Sequence, residues 1–115
     1  MDSCPLLIWN VRGLNSAARR GVVRRLVQQF NVSFVCFQES KVSEVSKEFF
    51  TECCGPAFTG FCFQPAVGTR GGIIMAWKDD EITVSSSHCT PSFISAACCH
   101  RRSGKAWRVI GVYGP

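Results

Sequence analysis

Short apolar runs punctuated by glycine, proline and charge organise this chain, and one segment departs from that rule by taking a helical period. Leu6-Leu7-Ile8-Trp9 follows Pro5 and is closed by Asn10, which gives it the length and boundaries of a buried strand. After the turn Val11-Arg12-Gly13-Leu14, either Asn15 or Ser16 offers a helix cap. From there Val22, Val23, Leu26, Val27 and Phe30 alternate with Arg19, Arg20, Arg24, Arg25, Gln28 and Gln29 at helical spacing. Asn31 ends that helix, and Ser33-Phe34-Val35-Cys36-Phe37 is a second buried strand, so the opening segment predicts a strand-helix-strand crossover with two parallel strands. A weaker helix is expected over residues 43–50. Beyond it come short strands over residues 58–63, 72–77, 82–86, 93–99 and 107–113, expected to pair as antiparallel neighbours. The turns Lys78-Asp79-Asp80-Glu81 and Arg101-Arg102-Ser103-Gly104-Lys105 gather charge as solvated hairpin tips do.

Composition narrows the class. With 115 residues, 46% hydrophobic and 18% charged, the chain has room for one ordered domain, residues 1–115, with a small core. No apolar stretch approaches the roughly 20 residues of a membrane-spanning helix. The net charge of +5 suits a polyanionic partner such as nucleic acid, although many soluble domains carry as much without binding one. Eight cysteines would form a disulfide framework in a secreted chain, but Met1-Asp2-Ser3-Cys4-Pro5 has neither a basic start nor an apolar core of a signal peptide. Reduced thiols and an intracellular location, nuclear or cytoplasmic, are expected. Adjacent pairs such as Cys53-Cys54 and Cys98-Cys99, with no C-x-x-C anywhere, argue against a zinc-binding domain. Asn31-Val32-Ser33 is then a chance match to the glycosylation pattern, and Trp77 and Trp107 read as core.

Chemistry concentrates where the two parallel strands end. The carboxyl ends of neighbouring parallel strands open onto one crevice, and Asn10 and Glu39 both sit there. A carboxylate beside an amide is an oxygen-rich corner of the kind that Mg²⁺ occupies with several waters; the plainer alternative is a capping Asn and a surface Glu. Lys41, two residues past Glu39, shares its side if the strand continues, and with Arg12 it is a candidate phosphate contact; the plainer alternative is a solvated cation. Arg70-Gly71-Gly72 reads first as a tight strand start.

Four local words add a resemblance. Trp9-Asn10-Val11-Arg12-Gly13, Phe37-Gln38-Glu39-Ser40-Lys41, Gly71-Gly72-Ile73-Ile74-Met75-Ala76-Trp77 and Val112-Tyr113-Gly114-Pro115 occur in the order and spacing of the endonuclease/exonuclease/phosphatase superfamily. The wording W-N-V-R-G-L-N and Q-E-x-K resembles most the endonuclease domain of plant-type LINE (non-LTR) retrotransposon polyproteins. The resemblance implies a Mg²⁺-dependent phosphodiester hydrolase, with Mn²⁺ as a substitute, acting on nucleic acid, in particular DNA. It makes Glu39 the metal-binding carboxylate, gives Asn10 the metal and phosphate corner, and turns Tyr113 toward the scissile phosphate. Ser40 stands where the family often has Thr, and neither His88 nor His100 lies in a family word.

In that family a G-D-F-N-like word and an S-D-H word come later in the chain, whereas this sequence stops at Pro115. The implied fold is α/β: the N-terminal half of a four-layer α/β sandwich, a mixed sheet with one or two helices on one face and the second sheet missing. An uncovered apolar sheet face would promote self-association. Without the later words little nuclease activity is expected of this chain, and a non-catalytic nucleic-acid-binding or protein-interaction remnant is the rival reading.

Overall fold

The computed structural model describes residues 6–68, 70–91 and 93–112. Strand β1 (Leu6–Asn10), helix α1 (Ala17–Phe30) and strand β2 (Phe34–Gln38) form the expected crossover, with β1 and β2 parallel and Asn10 level with Gln38. Ser16, not Asn15, caps α1: its hydroxyl accepts the Arg19 N–H at 3.0 Å. The helix stops at Asn31 in the left-handed conformation, which an asparagine tolerates at a C-terminus. Val23 and Val27 carry its buried stripe, while Val22 and Phe30, expected inside, are exposed.

Helix α2 (Lys47–Cys54) begins later than the sequence pattern suggests. Ser46 accepts the Phe49 N–H and starts the helix, while Val42 is still held in the preceding loop by the Ala66 N–H. Phe50, Cys53 and Cys54 are its buried face. Strand β3 (Gly60–Gln64) and strand β4 (Ile73–Trp77) are antiparallel, and β4 inserts between β2 and β3, so the first sheet runs β1-β2-β4-β3. Gly60 makes room for the Trp77 indole, which would lie 2.0 Å from a Cβ there.

The expectation of a missing second sheet is corrected at this point. Strands β5 (Ile82–Cys89), β6 (Phe93–His100) and β7 (Ala106–Val112) form a three-stranded antiparallel sheet of their own. Its inward residues Ile82, Ile94, Ala96, Cys98 and Val109 pack against Phe34, Cys36, Ile73 and Met75 of the first sheet. The face expected to lie bare is therefore covered over β2 and β4, while Leu6 and Ile8 of β1, in register with Phe34 and Cys36, stay exposed on it. Small residues let the sheets close: a Cβ on Gly111 would meet Cys36 Sγ and Ile73 Cγ2 at 3.1 Å. On the other face of the first sheet, α1 and α2 bury a second cluster that includes Leu14, Val23, Val27, Val35, Phe37, Phe50 and Ile74. The architecture is thus helices, mixed sheet, antiparallel sheet, and the mixed α/β class holds.

Candidate active site

The carboxyl edge of β1 and β2 is stitched by backbone hydrogen bonds that outlast the strands. Val11, Gly13 and Leu14 donate their N–H groups to the carbonyls of Gln38, Glu39 and Ser40 at 3.0, 2.8 and 2.8 Å. On the other side Ser40 and Lys41 donate to Gly72 and Gly71 at 3.0 and 2.8 Å. Three chain segments therefore lie side by side, and the middle one carries Glu39.

Asn10 and Glu39 meet there: the Asn10 amide nitrogen donates to Glu39 Oε2, and its Oδ1 accepts the Arg12 N–H at 3.1 Å. Both side chains are exposed. The amide is thereby held from two sides and fixes the carboxylate through Oε2, with no hydrogen bond to Oε1 among the described residues. As an all-oxygen, single-carboxylate corner open to water, this arrangement fits a hard divalent cation that retains most of its waters, and it fits no cage of protein ligands. Among the described residues no group of three or more His, Cys, Asp or Glu side chains is placed to hold a metal ion.

The backbone here is strained in a specific way. Outside glycine, positive φ is found among the described residues at Arg12 (54°), Asn31 (50°), Glu39 (54°) and Lys41 (59°). Asn31 is a helix cap, but the other three are charged, and all three lie on this edge. A glycine would adopt the same conformation at lower cost, so the side chains there are retained against a conformational penalty. Lys41 consequently does not continue a strand, as the sequence pattern suggested, but sits in a left-handed loop with its stem over Gly13. The glycine pair is structural as expected, since Gly72 takes φ +91° and a Cβ on it would lie 2.4 Å from the Ser40 hydroxyl.

Sequence reasoning missed the residues that brace this edge. Asn15 donates its amide to the Lys41 carbonyl at 2.6 Å, Arg19 donates to the Val11 carbonyl at 2.7 Å, and Arg20 donates to Leu14 at 2.8 Å while pairing with Glu52 at 3.1 Å. Buried Ser40 accepts the Val42 N–H at 3.3 Å, and Gln38 reaches the Val112 carbonyl of the second sheet at 3.4 Å. The word holding Asn10 and Arg12 extends through Asn15, which was the one available signal. Tyr113 lies outside the described residues. Neither described histidine is placed as a base: His100 Nδ1 is 2.9 Å from Ser103 Oγ in a turn, and His88 packs beside Phe93.

The seven described cysteines are free thiols. Burial pushes Cys36 up to about 11 and Cys53 and Cys62 up to about 12, so they are neutral, core-filling groups rather than nucleophiles or metal ligands. Among the described residues no helix is long and apolar enough to cross a membrane.

No family model and no curated protein sequence matches the chain. Solved structures do. The AP endonuclease LMAP from Leishmania major is similar at TM-score 0.66 and 13% identity, over 92% of this chain and 38% of that one. The catalytic domain of Xenopus laevis APE2 is similar at TM-score 0.60 and 16% identity, over 95% of this chain and 45% of that one. D. rerio TDP2, solved with a single-strand DNA product, gives TM-score 0.61 and 14% identity, over 90% of this chain and 43% of that one. The chain therefore shares the fold of part of these three structures and spans less than half of their length.

Proposed function

We propose that this chain supplies one side of a divalent-metal-dependent phosphodiester-cleaving site acting on nucleic acid, of the DNA endonuclease type found in LINE-like retrotransposons. The observation that carries the reading is the Asn10–Glu39 pair, an exposed carboxylate oriented by an amide at the open ends of two parallel strands. An AP endonuclease and a protein solved with a single-strand DNA product share this fold, and both support the choice of substrate.

In this reading Glu39 would hold the cation, and Asn10 keeps the carboxylate in place through the hydrogen bond from its amide nitrogen. Mg²⁺, or Mn²⁺ in its stead, supplies charge neutralisation at a phosphoryl oxygen and a water of lowered pKa when bound. Arg12 and Lys41 flank Glu39 and offset the charge that develops on the phosphoryl oxygens. Tyr113 is assigned to the scissile phosphate by the family resemblance alone.

The described residues offer no histidine paired with a carboxylate to orient the attacking water. Catalytic groups that act as a unit fail as a unit, so the chain by itself is expected to cleave little or nothing. The same observation favours a second reading, a non-catalytic remnant that still binds nucleic acid. Nicking of supercoiled plasmid with Mg²⁺ separates the two when this chain and any form extended through a downstream reading frame are each compared with Glu39→Ala. Glu39-dependent nicking by the extended form supports the enzyme reading. Silence from both forms sinks it in favour of the remnant.

A further inference from the structure

The charge at the Glu39 edge is unevenly balanced. Three acids elsewhere sit on bases, Glu52 with Arg20 at 3.1 Å, Glu81 with Lys78 at 3.8 Å and Asp79 with Arg101 at 3.8 Å, while Glu48 and Asp80 form no ion pair among the described residues. At this edge Arg12, Lys41 and Arg70 accompany the single carboxylate of Glu39, and none of the three forms an ion pair among the described residues. Glu44, three residues past Lys41, is exposed and unpaired as well, and it leaves the edge with a surplus of positive charge.

Backbone hydrogen bonds set the order of these cations. Gly13 donates to Glu39, which places Arg12 beside it, and Lys41 donates to Gly71, which places Arg70 next in line. Arg70 is itself fixed, because its N–H and carbonyl are both bonded to Val67, at 3.1 and 2.9 Å. Neighbouring strands lie about 4.8 Å apart, so the outer two of three adjacent segments are separated by roughly 10 Å. A single phosphate engages the cations nearest Glu39 and leaves Arg70 idle, whereas a nucleic-acid strand brings a phosphate with every nucleotide.

We infer that Arg70 is a substrate-positioning residue that grips a phosphate flanking the scissile one, and that the site is therefore built for a nucleic-acid strand rather than for a small phosphorylated molecule. The inference rests on the phosphodiester reading above and extends it to a residue that the strand-end chemistry does not require. Its glycine neighbours explain the rigid strand start but place no demand on the identity of residue 70.

The test is binding without chemistry: fluorescence anisotropy of an end-labelled oligonucleotide of about 20 nucleotides, in EDTA, across a salt series. Arg70→Gln should weaken binding about 3- to 10-fold at low salt and lower the log–log salt slope by about 0.7–0.9, one phosphate contact. Arg70→Lys should retain the slope. Arg102→Gln, an exposed arginine at the opposite end of the second sheet, should change neither. Equal unfolding midpoints of the variants confirm that the fold is intact. An unchanged slope in Arg70→Gln, or an equal loss in Arg102→Gln, overturns the inference while leaving the Glu39 reading standing. Binding that depends on Arg70 without any nicking keeps the phosphate contact while the enzyme reading fails, and no binding by the parent chain overturns the inference alone, since the Glu39 reading is tested by nicking.

Discussion

Arg12 adopts a left-handed φ of 54° beside the proposed metal carboxylate, and the penalty for that conformation in a non-glycine residue is roughly 1 kcal/mol. Arg12→Gly should therefore raise stability by about 0.5–1 kcal/mol in urea unfolding while weakening oligonucleotide binding, a trade between stability and function at a single position. Gly72 is the reverse case. Gly72→Ala places a Cβ against the Ser40 hydroxyl at φ +91° and should cost about 2 kcal/mol or more, part of which Ser40→Ala should restore by removing the clash. That Asn10 and Glu39 lie together was legible in the sequence because both follow short apolar runs, where parallel strands open. The left-handed turn at Lys41 was not, since nothing in a lysine announces positive φ; it follows from hydrogen bonds to Gly71 and Asn15 across the fold.

Helix α1 was readable because fourteen residues hold one period and Ser16 caps them, and its stability should respond to local changes in both directions. Ser16→Ala removes the acceptor for the Arg19 N–H and should cost about 1 kcal/mol, whereas Gly21→Ala, in the helix with open space around it, should gain about 0.5–1 kcal/mol. Urea midpoints of the two variants would check both signs. Strands β5 to β7 were recognisable one by one, yet their assembly into a covering sheet was not. Which strands pair is decided by docking between distant segments, and the cue, the small inward residues Ala96, Cys98 and Gly111, is informative only once a facing sheet is known. Helix α2 starts late for a similar reason, because the Ala66 N–H holds Val42 in a loop that local propensity does not register.

Across the whole molecule, the buried thiols make stability fall in alkali. The folded chain keeps the protons of Cys36, Cys53 and Cys62 up to about 11 or 12, whereas the unfolded chain releases them near 9, so stability is full below that pH and declines as pH rises above it. A lower urea midpoint at pH 10 than at pH 7.5, under reducing conditions, is expected. Association should come from the edge strand β1 and from β7. Ile8, in register with core Cys36, is exposed on the part of the first sheet's face that β5 to β7 leave uncovered, and β7 presents Ile110 and Val112, while the β5 edge is blunted by serines and a bulge at Val84/Ser86. Ile8→Lys should shift sedimentation toward the monomer at high concentration. The strand order of the first sheet carries one more consequence, for the route by which the chain reaches this structure. Because β4 lies between β2 and β3, β3 has no direct partner in the β1-α1-β2 unit and reaches it only through β4, whether as a hairpin with β4 or after β4 has docked on β2. In either order β3 joins that unit only when the β2–β4 seam closes. Ile74→Val on that seam should slow folding, and Ile94→Val in the later sheet should chiefly hasten unfolding.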